Sequence, residues 1–463
     1  MKPEVKPLFQ PIRIGGIELK NRIVMPPMDT CAFNFDGTVT PKLMPYMRNR
    51  AKGGVGLIIQ ECADTSWPEG KNGPRELRMD VPDSITFLHD MTNVVHSFGT
   101  KIILQLNHAG FQSNPINCEG RQSVCPSEFM GARAMTHEEV RKVIQDFILC
   151  AGNAKLAGYD GIELHAAHGY LLNCFLSPAV NHREDEYGGS LENRARMVCE
   201  IVRGIREKCG KPFLISVRIG GEDNPGNTLA DTVEIAKLVE AAGADLLNLS
   251  TGFNPPMELN PTQWAEEGLY LPYAEAVKQA VSIPVAIVGK LKTPEFCAGI
   301  IESGKADLVC VGRQLLCDPE WPNKMNDFER LQRGILDSTN SFWNARYIGR
   351  ACYAPVTEDL RIKAELYSTH VAARYDALKL TAISNKNGII DSLTLHFSDY
   401  FPEENRLKAF DTKKYIWTDS GKTEWYVQPN PREMFALAEA ADEYAVQFDP
   451  AQAMQIQPDY EME

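Results

Sequence analysis

Short runs of apolar residues recur along the first two thirds of the chain. Eight such runs are rich in β-branched residues; they begin at Ile23, Val55, Lys101, Gly161, Phe213, Asp245, Pro284 and Asp307. Continuous apolar runs of this length are typical of parallel strands that are buried on both faces. The pattern therefore predicts eight buried parallel strands in succession.

Between these runs, the apolar residues adopt the 3.6-residue spacing of amphipathic helices. The clearest helical segments begin at His137, Ser190, Thr228 and Pro294, and each ends in glycine, a common helix stop. Eight alternations of strand and helix predict an α/β fold, the (β/α)8 TIM barrel. A doubly wound sheet is the alternative, but no strand leads into the Gly-x-Gly-x-x-Gly turn that binds dinucleotides in such sheets.

The pattern changes after Trp321. Residues 336–463 are richer in aromatics, and segment 379–401 resembles a hairpin with its turn at Asn385–Gly388. Segment 431–448 is predicted to be a helix opened by proline. We therefore expect a TIM barrel over residues 1–335 and a small α+β appendage over 336–463. Covering the substrate pocket and mediating homo-oligomerisation are both open as roles for the appendage.

Composition narrows the classes of function. The 463 residues include 48 Lys and Arg against 61 Asp and Glu, a formal net charge of −13. Nucleic-acid binders usually present a basic surface, so a nucleic-acid partner is not expected. No apolar run is long enough to span a membrane, and the first residues lack the apolar core of a signal peptide. The 12 cysteines include no Cys-x-x-Cys pair, which favours reduced thiols in the cytoplasm.

In TIM barrels the chemistry lies at the carboxyl ends of the strands, and a phosphate site commonly follows strands seven and eight. Gly289 and Gly312 end those two strands, and Arg313 follows directly. Glycine lets backbone amides approach a ligand closely, and arginine can bind phosphate in a bidentate manner. The alternative is that these glycines only end strands. The combination with arginine favours a phosphate site.

A second cluster follows strand four, where the sequence reads His165-x-x-His168-x-Tyr170. Zinc is one interpretation, but metal sites need three or four ligands and no third ligand is evident beside the histidines. A hydrogen-bonding pair that grips a carbonyl oxygen, with tyrosine as proton donor, fits better. A purely structural pair at the barrel mouth is the remaining alternative. We therefore predict no metal site.

These motifs resemble the old yellow enzyme family of FMN-dependent ene-reductases. The similarity is greatest to the branch of 2,4-dienoyl-CoA reductase and trimethylamine dehydrogenase. The matching stretches are LKNRIVMPPMDT, GGVGLIIQE, ILQLNHAG, GIELHAAHGYLLNCFLSPAVNHREDEYGGSLENRARM, SVRIGGED, IPVAIVGKL and ADLVCVGRQLLCDPEWPNK. They occur in family order over residues 1 to about 326, and the segment from HAAHGY to GGSLENR is the most specific.

The resemblance implies that FMN lies across the barrel mouth. The residues that would contact its ring are Pro26, Pro27, Met28 and Thr30, with Gln60 and Gln105 at its edge and Arg218 near N1 and the C2 carbonyl. Those that would hold the phosphate are Gly289, Lys290, Gly312 and Arg313. His165 and His168 would bind the substrate carbonyl. Hydride would pass from flavin N5 to the β-carbon of an activated alkene, and Tyr170 would protonate the α-carbon. Cys31 lies beyond Asp29 and Thr30, so Thr30 is the expected flavin neighbour.

The chain departs from the large members of this branch after the barrel. Those proteins carry four cysteines there for a [4Fe–4S] cluster, whereas the stretch LDSTNSFWNARYIGRACYAPV has only Cys352. We therefore expect no iron–sulfur cluster and expect NADH or NADPH to reduce FMN directly. A separate electron-donor protein is the alternative. Two other functions stay open: amine dehydrogenation or demethylation, and a non-catalytic flavin-binding subunit.

Overall fold

The computed structural model describes residues 3–254 and 266–325, together with the backbone of six strands between residues 349 and 448. Eight parallel strands form the central sheet, and each lies within one of the predicted apolar runs. Strands β1 to β8 span Ile23–Met25, Leu57–Asp64, Lys101–Asn107, Gly161–Ala166, Leu214–Gly220, Leu246–Ser250, Val285–Val288 and Leu308–Cys310. The eight-strand prediction is confirmed.

The sheet closes on itself. Each strand pairs in parallel with the next along the chain, and β1 pairs with both β2 and β8. At the closure, Val24 lies opposite Leu57 on one side and Cys310 on the other. The short strand Leu77–Arg78 extends the end of β2. The TIM barrel predicted from the sequence is therefore the observed fold of this part of the chain.

An antiparallel pair of short strands, Ile12–Ile14 and Ile17–Leu19, precedes the barrel. Ile14, Ile17 and Leu19 belong to one buried cluster with residues from the first halves of the barrel strands. The pair therefore closes the amino-terminal end of the barrel with apolar side chains. The carboxyl ends of the strands form the opposite mouth.

In the described part of the chain, eight α-helices follow strands β1 to β7. Helices α1 to α8 span Leu43–Lys52, Ile85–His96, His137–Leu156, Leu171–Leu176, Leu191–Cys209, Leu229–Ala242, Leu271–Lys278 and Pro294–Glu302. The sequence encodes several of their starts. Thr136 and Glu139 form a reciprocal capping box at α3, and Thr228 and Asp231 do the same at α6. None of the described helices is long and apolar enough to cross a membrane.

The barrel unit runs to Gly312, and a second compact unit begins at Arg313. The second unit opens with helices α9, Arg313–Cys317, and α10, Trp321–Lys324. Its strands β9 to β14 span Gly349–Tyr353, Leu360–Leu366, Leu378–Ser384, Ile390–Phe397, Tyr426–Val427 and Tyr444–Phe448. They form one antiparallel sheet in the order β13-β9-β10-β11-β12-β14. The boundary expected between residues 335 and 336 lies outside the described residues.

Two predictions of secondary structure concern this sheet. Strands β11 and β12 pair antiparallel, as the hairpin prediction requires, although its turn at Asn385–Gly388 lies outside the described residues. The helix predicted over 431–448 is wrong at its end, because Tyr444–Phe448 is a strand that pairs with β12. Residues 431–443 lie outside the described part. A short apolar run does not by itself distinguish helix from strand, and here sheet pairing decides.

Candidate active site

A layer of polar side chains crosses the barrel interior below the mouth. The Glu163 carboxylate on β4 accepts hydrogen bonds from Gln105 Nε2 at 2.8 Å, Ser216 Oγ at 3.0 Å and Asn248 Nδ2 at 2.9 Å. All four residues are buried. Burial raises the pKa of Glu163, while the positive charge of Arg218 opposes that rise. Glu163 therefore holds the side chain of Gln105, a predicted flavin neighbour, in place.

Sequence reasoning missed most of this layer. Glu163, Ser216 and Asn248 each stand inside an otherwise apolar strand. Buried polar groups are almost always hydrogen-bonded, so a polar residue within such a strand signals partners on neighbouring strands. The polar residues inside these apolar strands are visible in the sequence, although the sequence does not identify their hydrogen-bond partners.

Above this layer, Ser250 at the end of β6 joins two predicted site residues. Its Oγ accepts a hydrogen bond from Arg218 Nη2 at 3.2 Å and lies 2.8 Å from His168 Nε2. Arg218 projects from β5 and is 8% exposed. The structure thus brings the residue expected beside the flavin and the residue expected at the substrate carbonyl onto one hydroxyl.

The rings of His165, His168 and Tyr170 form one cluster. The His165 ring centroid lies 4.9 Å from that of His168 and 4.7 Å from that of Tyr170. The centroids of His168 and Tyr170 are 6.5 Å apart. The spacing seen in the sequence therefore places all three side chains side by side at the mouth.

A strained turn sets this geometry. His168 has a φ of 62°, a left-handed conformation uncommon for residues other than glycine, and Gly169 follows with a φ of 75°. The Gly169 amide donates to Asn173 Oδ1 at 2.7 Å, and Asn173 Nδ2 donates to Asp223 Oδ1 at 3.2 Å. Buried hydrogen bonds from α4 and from the segment after β5 thus hold the turn in place.

Protonation states follow from this environment. Burial lowers the pKa of His165 well below its ordinary value, and the nearby His168 and Arg218 lower it further. Burial and Arg218 have the same effect on the pKa of His168. Both rings are therefore neutral at pH 7. His165 Nδ1 accepts from the Ala167 amide at 3.4 Å, which leaves the ring proton on Nε2.

The pKa of Tyr170 shifts in the opposite direction, upward. Burial raises its pKa, and electrostatic interaction with Cys62, Glu76 and Asp29 raises it further, whereas a hydrogen bond with the Asn72 side chain opposes the rise. The phenol therefore keeps its proton at neutral pH. Two neutral imidazoles beside a protonated phenol can bind a carbonyl oxygen and supply a proton.

The residues after β1 line another side of the mouth. Pro26 is buried and Met28 is half-buried, and a Cβ added at Gly312 would lie 3.4 Å from Pro26 Cγ and from Met28 Sδ. The end of β1 therefore lies beside the end of β8. Pro27 is half-buried in the same segment.

Thr30 is fully buried, and both its amide and its hydroxyl donate to the carboxylate of Glu61. This contact anchors the segment after β1 to the end of β2. Cys31 is also buried, and its amide donates to Asp29 Oδ1 at 3.1 Å.

The structure does not bring Gln60 to this cluster. Ile59 belongs to the apolar cluster of the barrel interior, and successive residues of a strand face opposite sides. Gln60 accordingly accepts a hydrogen bond from the Tyr159 hydroxyl at 2.5 Å on the outer side of the sheet. The register of β2 against β3 shifts between Gln60 and Ala63, so Glu61 and Cys62 lie at this irregularity.

Two of the residues predicted to bind phosphate, Gly289 and Lys290, have unusual backbone geometry. Gly289 has a φ of 134°, and a Cβ there would lie 2.9 Å from Tyr270 Cδ2. Lys290 follows with a φ of 55°. Gly289 therefore allows a conformation and a close approach that a side chain would hinder. Arg313 belongs to the second unit, where it begins α9.

Two buried polar atoms without hydrogen-bond partners test whether FMN fits the barrel mouth. Within the described part of the chain, Arg218 Nε and Thr251 Oγ1 are buried and have no hydrogen-bond partner. An unsatisfied buried polar group costs about 1–3 kcal/mol, so a ligand that pairs with these atoms would be favoured. FMN carries carbonyl oxygens, ring nitrogens and hydroxyls that suit a guanidinium and a hydroxyl. The residues present therefore fit FMN. In the same described part, no three His, Cys, Asp or Glu side chains are grouped to hold a metal ion.

Comparisons with known proteins cover the same region. The model of the NADH:flavin oxidoreductase / NADH oxidase family matches residues 7–331. The chain is 44% identical over 330 residues to an NADH oxidase of Thermoanaerobacter brockii, which covers 69% of this chain and 50% of that protein. It is 38% identical over 362 residues to a cinnamate reductase of Clostridium sporogenes, covering 70% and 53%.

A solved structure gives the same picture. The 2-naphthoyl-CoA reductase in complex with 2-naphthoyl-CoA superposes with a TM-score of 0.68 at 28% identity, covering 72% of this chain and 54% of that chain. The chain thus spans about half the length of each of these three proteins.

Proposed function

The chain belongs to the NADH:flavin oxidoreductase / NADH oxidase family, and we propose that it reduces the activated C=C bond of an enone, an enoate or an enoyl thioester, using FMN and either NADH or NADPH. The observation that carries this proposal is the cluster of two neutral imidazoles, His165 and His168, beside the protonated Tyr170. Membership of the family confirms the resemblance to old yellow enzymes.

When bound, FMN would supply two-electron hydride chemistry between the nicotinamide and the β-carbon of the alkene. Pro26, Met28, Thr30 and Gln105 would contact the ring. Arg218 would place a positive charge at its edge, where a preorganised cation stabilises developing negative charge. Gly289, Lys290 and Gly312 of the barrel unit would hold the phosphate.

His165 and His168 would act on the substrate carbonyl. Each neutral ring can donate one hydrogen bond, and His165 carries its proton on Nε2 because Nδ1 already accepts from Ala167. Two donors on one carbonyl oxygen draw electron density from the β-carbon and stabilise charge that develops on that oxygen. The same contacts fix the orientation of the alkene.

Tyr170 would complete the reduction. As the β-carbon receives hydride, the phenol gives its proton to the α-carbon, so that the C=C bond becomes a saturated CH–CH bond. The phenolate then recovers a proton from solvent. The raised pKa of Tyr170 keeps the proton in place until carbanion character develops on the substrate.

Relatives named above support this substrate class. One is a cinnamate reductase, and cinnamate is an enoate that carries an aryl group. Another is a 2-naphthoyl-CoA reductase, whose substrate is a thioester. Each of these two proteins is much longer than the region that it shares with the present chain. Its substrate therefore supports only a proposal for this chain.

The decisive experiment is anaerobic. The protein is purified gently and examined for bound flavin, the flavin is reduced with NADH or NADPH, and the reduced protein is mixed with enones, enoates and enoyl-CoA esters. We expect bleaching by the nicotinamide and rapid reoxidation by at least one alkene, with one saturated product per flavin. Absence of flavin, or flavin that no alkene reoxidises, would contradict the proposal.

Two further measurements decide between the alternatives. Reduction of the oxidised flavin by an alkylamine, without reactivity toward alkenes, would favour amine dehydrogenation. We also propose that the protein holds no iron–sulfur cluster, and stoichiometric iron and sulfide would refute this. Most of the stretch 336–356, where the family resemblance would imply a cluster, lies outside the described residues.

A further inference from the structure

Three phenylalanine rings form a cluster near the barrel mouth. Phe111, Phe129 and Phe253 contact one another with centroid distances of 5.2, 5.8 and 5.7 Å and interplanar angles of 83°, 84° and 74°. All three pairs are therefore edge-to-face, an arrangement that favours aromatic partners. Each ring is only half-buried. We call these three residues the phenylalanine wall.

The wall adjoins the candidate catalytic turn. A Cβ built on Gly169 would lie 2.6 Å from Phe253 Cδ2, so that ring packs directly on the backbone between His168 and Tyr170. The Gln112 side chain follows Phe111 and donates to the His168 carbonyl oxygen at 2.8 Å. Two of the three wall segments thus contact the residues expected to bind and protonate the substrate.

The wall is fixed in place. The Phe253 amide donates to Asp223 Oδ1 at 2.8 Å, and the same oxygen accepts from Asn173, which holds the Gly169 amide. One buried carboxylate oxygen therefore ties Phe253 and the catalytic turn together. Phe111 and Phe129 pack at their base against a small buried cluster that includes Cys125 and Cys174.

We propose that the phenylalanine wall receives an aryl group of the alkene substrate and makes the enzyme selective for aryl-substituted over alkyl-substituted alkenes. This inference rests on the proposed function. Half-buried aromatic edges beside polar catalytic groups are what a binding site for a flat apolar substituent requires. A guest ring can add to this cluster in an edge-to-face or offset-stacked geometry, which an alkyl group cannot do.

The test uses matched substrates that differ only in phenyl or methyl. Benzylideneacetone and ethylideneacetone differ at the β-carbon, whereas phenyl vinyl ketone and methyl vinyl ketone differ at the carbonyl carbon. For the wild-type protein we expect kcat/KM to favour phenyl in at least one pair. For Phe253→Ala we expect that ratio to fall roughly tenfold or more, with a much smaller loss for the methyl substrates.

Two variants distinguish the effect of the aromatic ring from the effect of side-chain volume. Phe253→Leu keeps apolar volume but removes the ring, so it should also lose the phenyl preference, whereas Phe253→Tyr should keep most of it. Phe98→Ala, a half-exposed ring on the loop before β3, is the control and should match the wild type. Flavin content and the rate of flavin reduction by nicotinamide report whether each variant is folded.

The outcomes are distinct from those for the proposed function. If no alkene reoxidises the wild-type protein, the proposed function fails. If both members of each pair react equally well, or if the phenyl preference survives in Phe253→Ala and Phe253→Leu alike, the reduction stands and the phenylalanine wall does not select the substrate.

Discussion

Nε2 of His168 lies 2.8 Å from Oγ of Ser250. The same hydroxyl accepts a hydrogen bond from Nη2 of Arg218 at 3.2 Å. Ser250 therefore orients the ring expected at the substrate carbonyl and the cation expected at the flavin. It is the last residue of β6, whereas His168 follows β4 and Arg218 lies on β5, so three neighbouring strands converge on it.

Replacing Ser250 tests this junction. Ser250→Ala removes one partner of His168 and one of Arg218, and we expect the rate of alkene reduction to fall about tenfold, the equivalent of one hydrogen bond to a charged or polar group. Stopped-flow measurement of flavin reoxidation gives this rate. Ser250→Thr keeps the hydroxyl and should recover most of it. Equal rates in both variants and the wild type would mean that the junction is only structural.

Tyr170→Phe tests the proton donor. We expect flavin reoxidation by the alkene to slow by roughly 100- to 10,000-fold, while flavin reduction by NADH or NADPH changes little. Tyr187→Phe, which removes a hydroxyl bonded to Glu200 at 3.0 Å, is the matched control. Equal losses in both half-reactions of Tyr170→Phe would contradict the proton-donor role.

The raised pKa of Tyr170 also predicts a pH dependence. A donor whose pKa lies above its ordinary value of about 10 stays protonated through pH 9. The rate of flavin reoxidation by the alkene should therefore show no decline from phenol ionisation between about pH 6 and 9. A tyrosine with a pKa near neutrality would instead give a rate that falls as pH rises through this range.

Gly289→Ala tests the predicted phosphate site. A Cβ at this position, where φ is 134°, would crowd Tyr270, so we expect weaker retention of FMN and a loss of about 1–3 kcal/mol in the free energy of unfolding. Gly299→Ala is the control, because Gly299 lies in α8 with no atom near its Cβ position. Since alanine favours helix, this control should be neutral or stabilising. Urea unfolding and flavin retention after gel filtration measure both effects.

The buried carboxyl group of Asp64 makes the free energy of unfolding depend on pH. Burial raises its pKa to about 7, and the charge of Asp80 adds to the rise, whereas the Ser66 amide opposes it. The unfolded value is about 3.9, so between about pH 4 and pH 7 the folded state holds more protons than the unfolded state. This group therefore lowers stability progressively as pH rises through that window, with an upper limit of about 4 kcal/mol above pH 7.

Asp64→Asn removes this titration. Its stability relative to the wild type should increase from pH 4 to pH 8, as measured by urea unfolding at each pH. The exposed Asp90→Asn is the control, for which the difference from wild type should be nearly constant. A constant difference in Asp64→Asn would show that the carboxyl is not buried and protonated as the structure indicates.

The sequence by itself determined the barrel. Eight apolar runs are typical of strands buried on both faces, and the 3.6-residue spacing between them predicts the helices that begin near His137 and Thr228. It also placed His165, His168 and Tyr170 together, because all three lie within six residues at the end of one strand. Local patterns suffice wherever the relevant partners are close in sequence.

Tertiary structure decided the contacts between distant segments. Strand alternation after the inward-facing Ile59 turns Gln60 toward Tyr159 and away from the mouth, and strand pairing makes Tyr444–Phe448 a strand where the sequence predicted helix. The Glu163 layer joins residues from four segments of the chain, and the Ser250 junction and the phenylalanine wall each join residues from three. Side-chain direction depends on register, and partners depend on which strands become neighbours, so neither can be read from a local pattern.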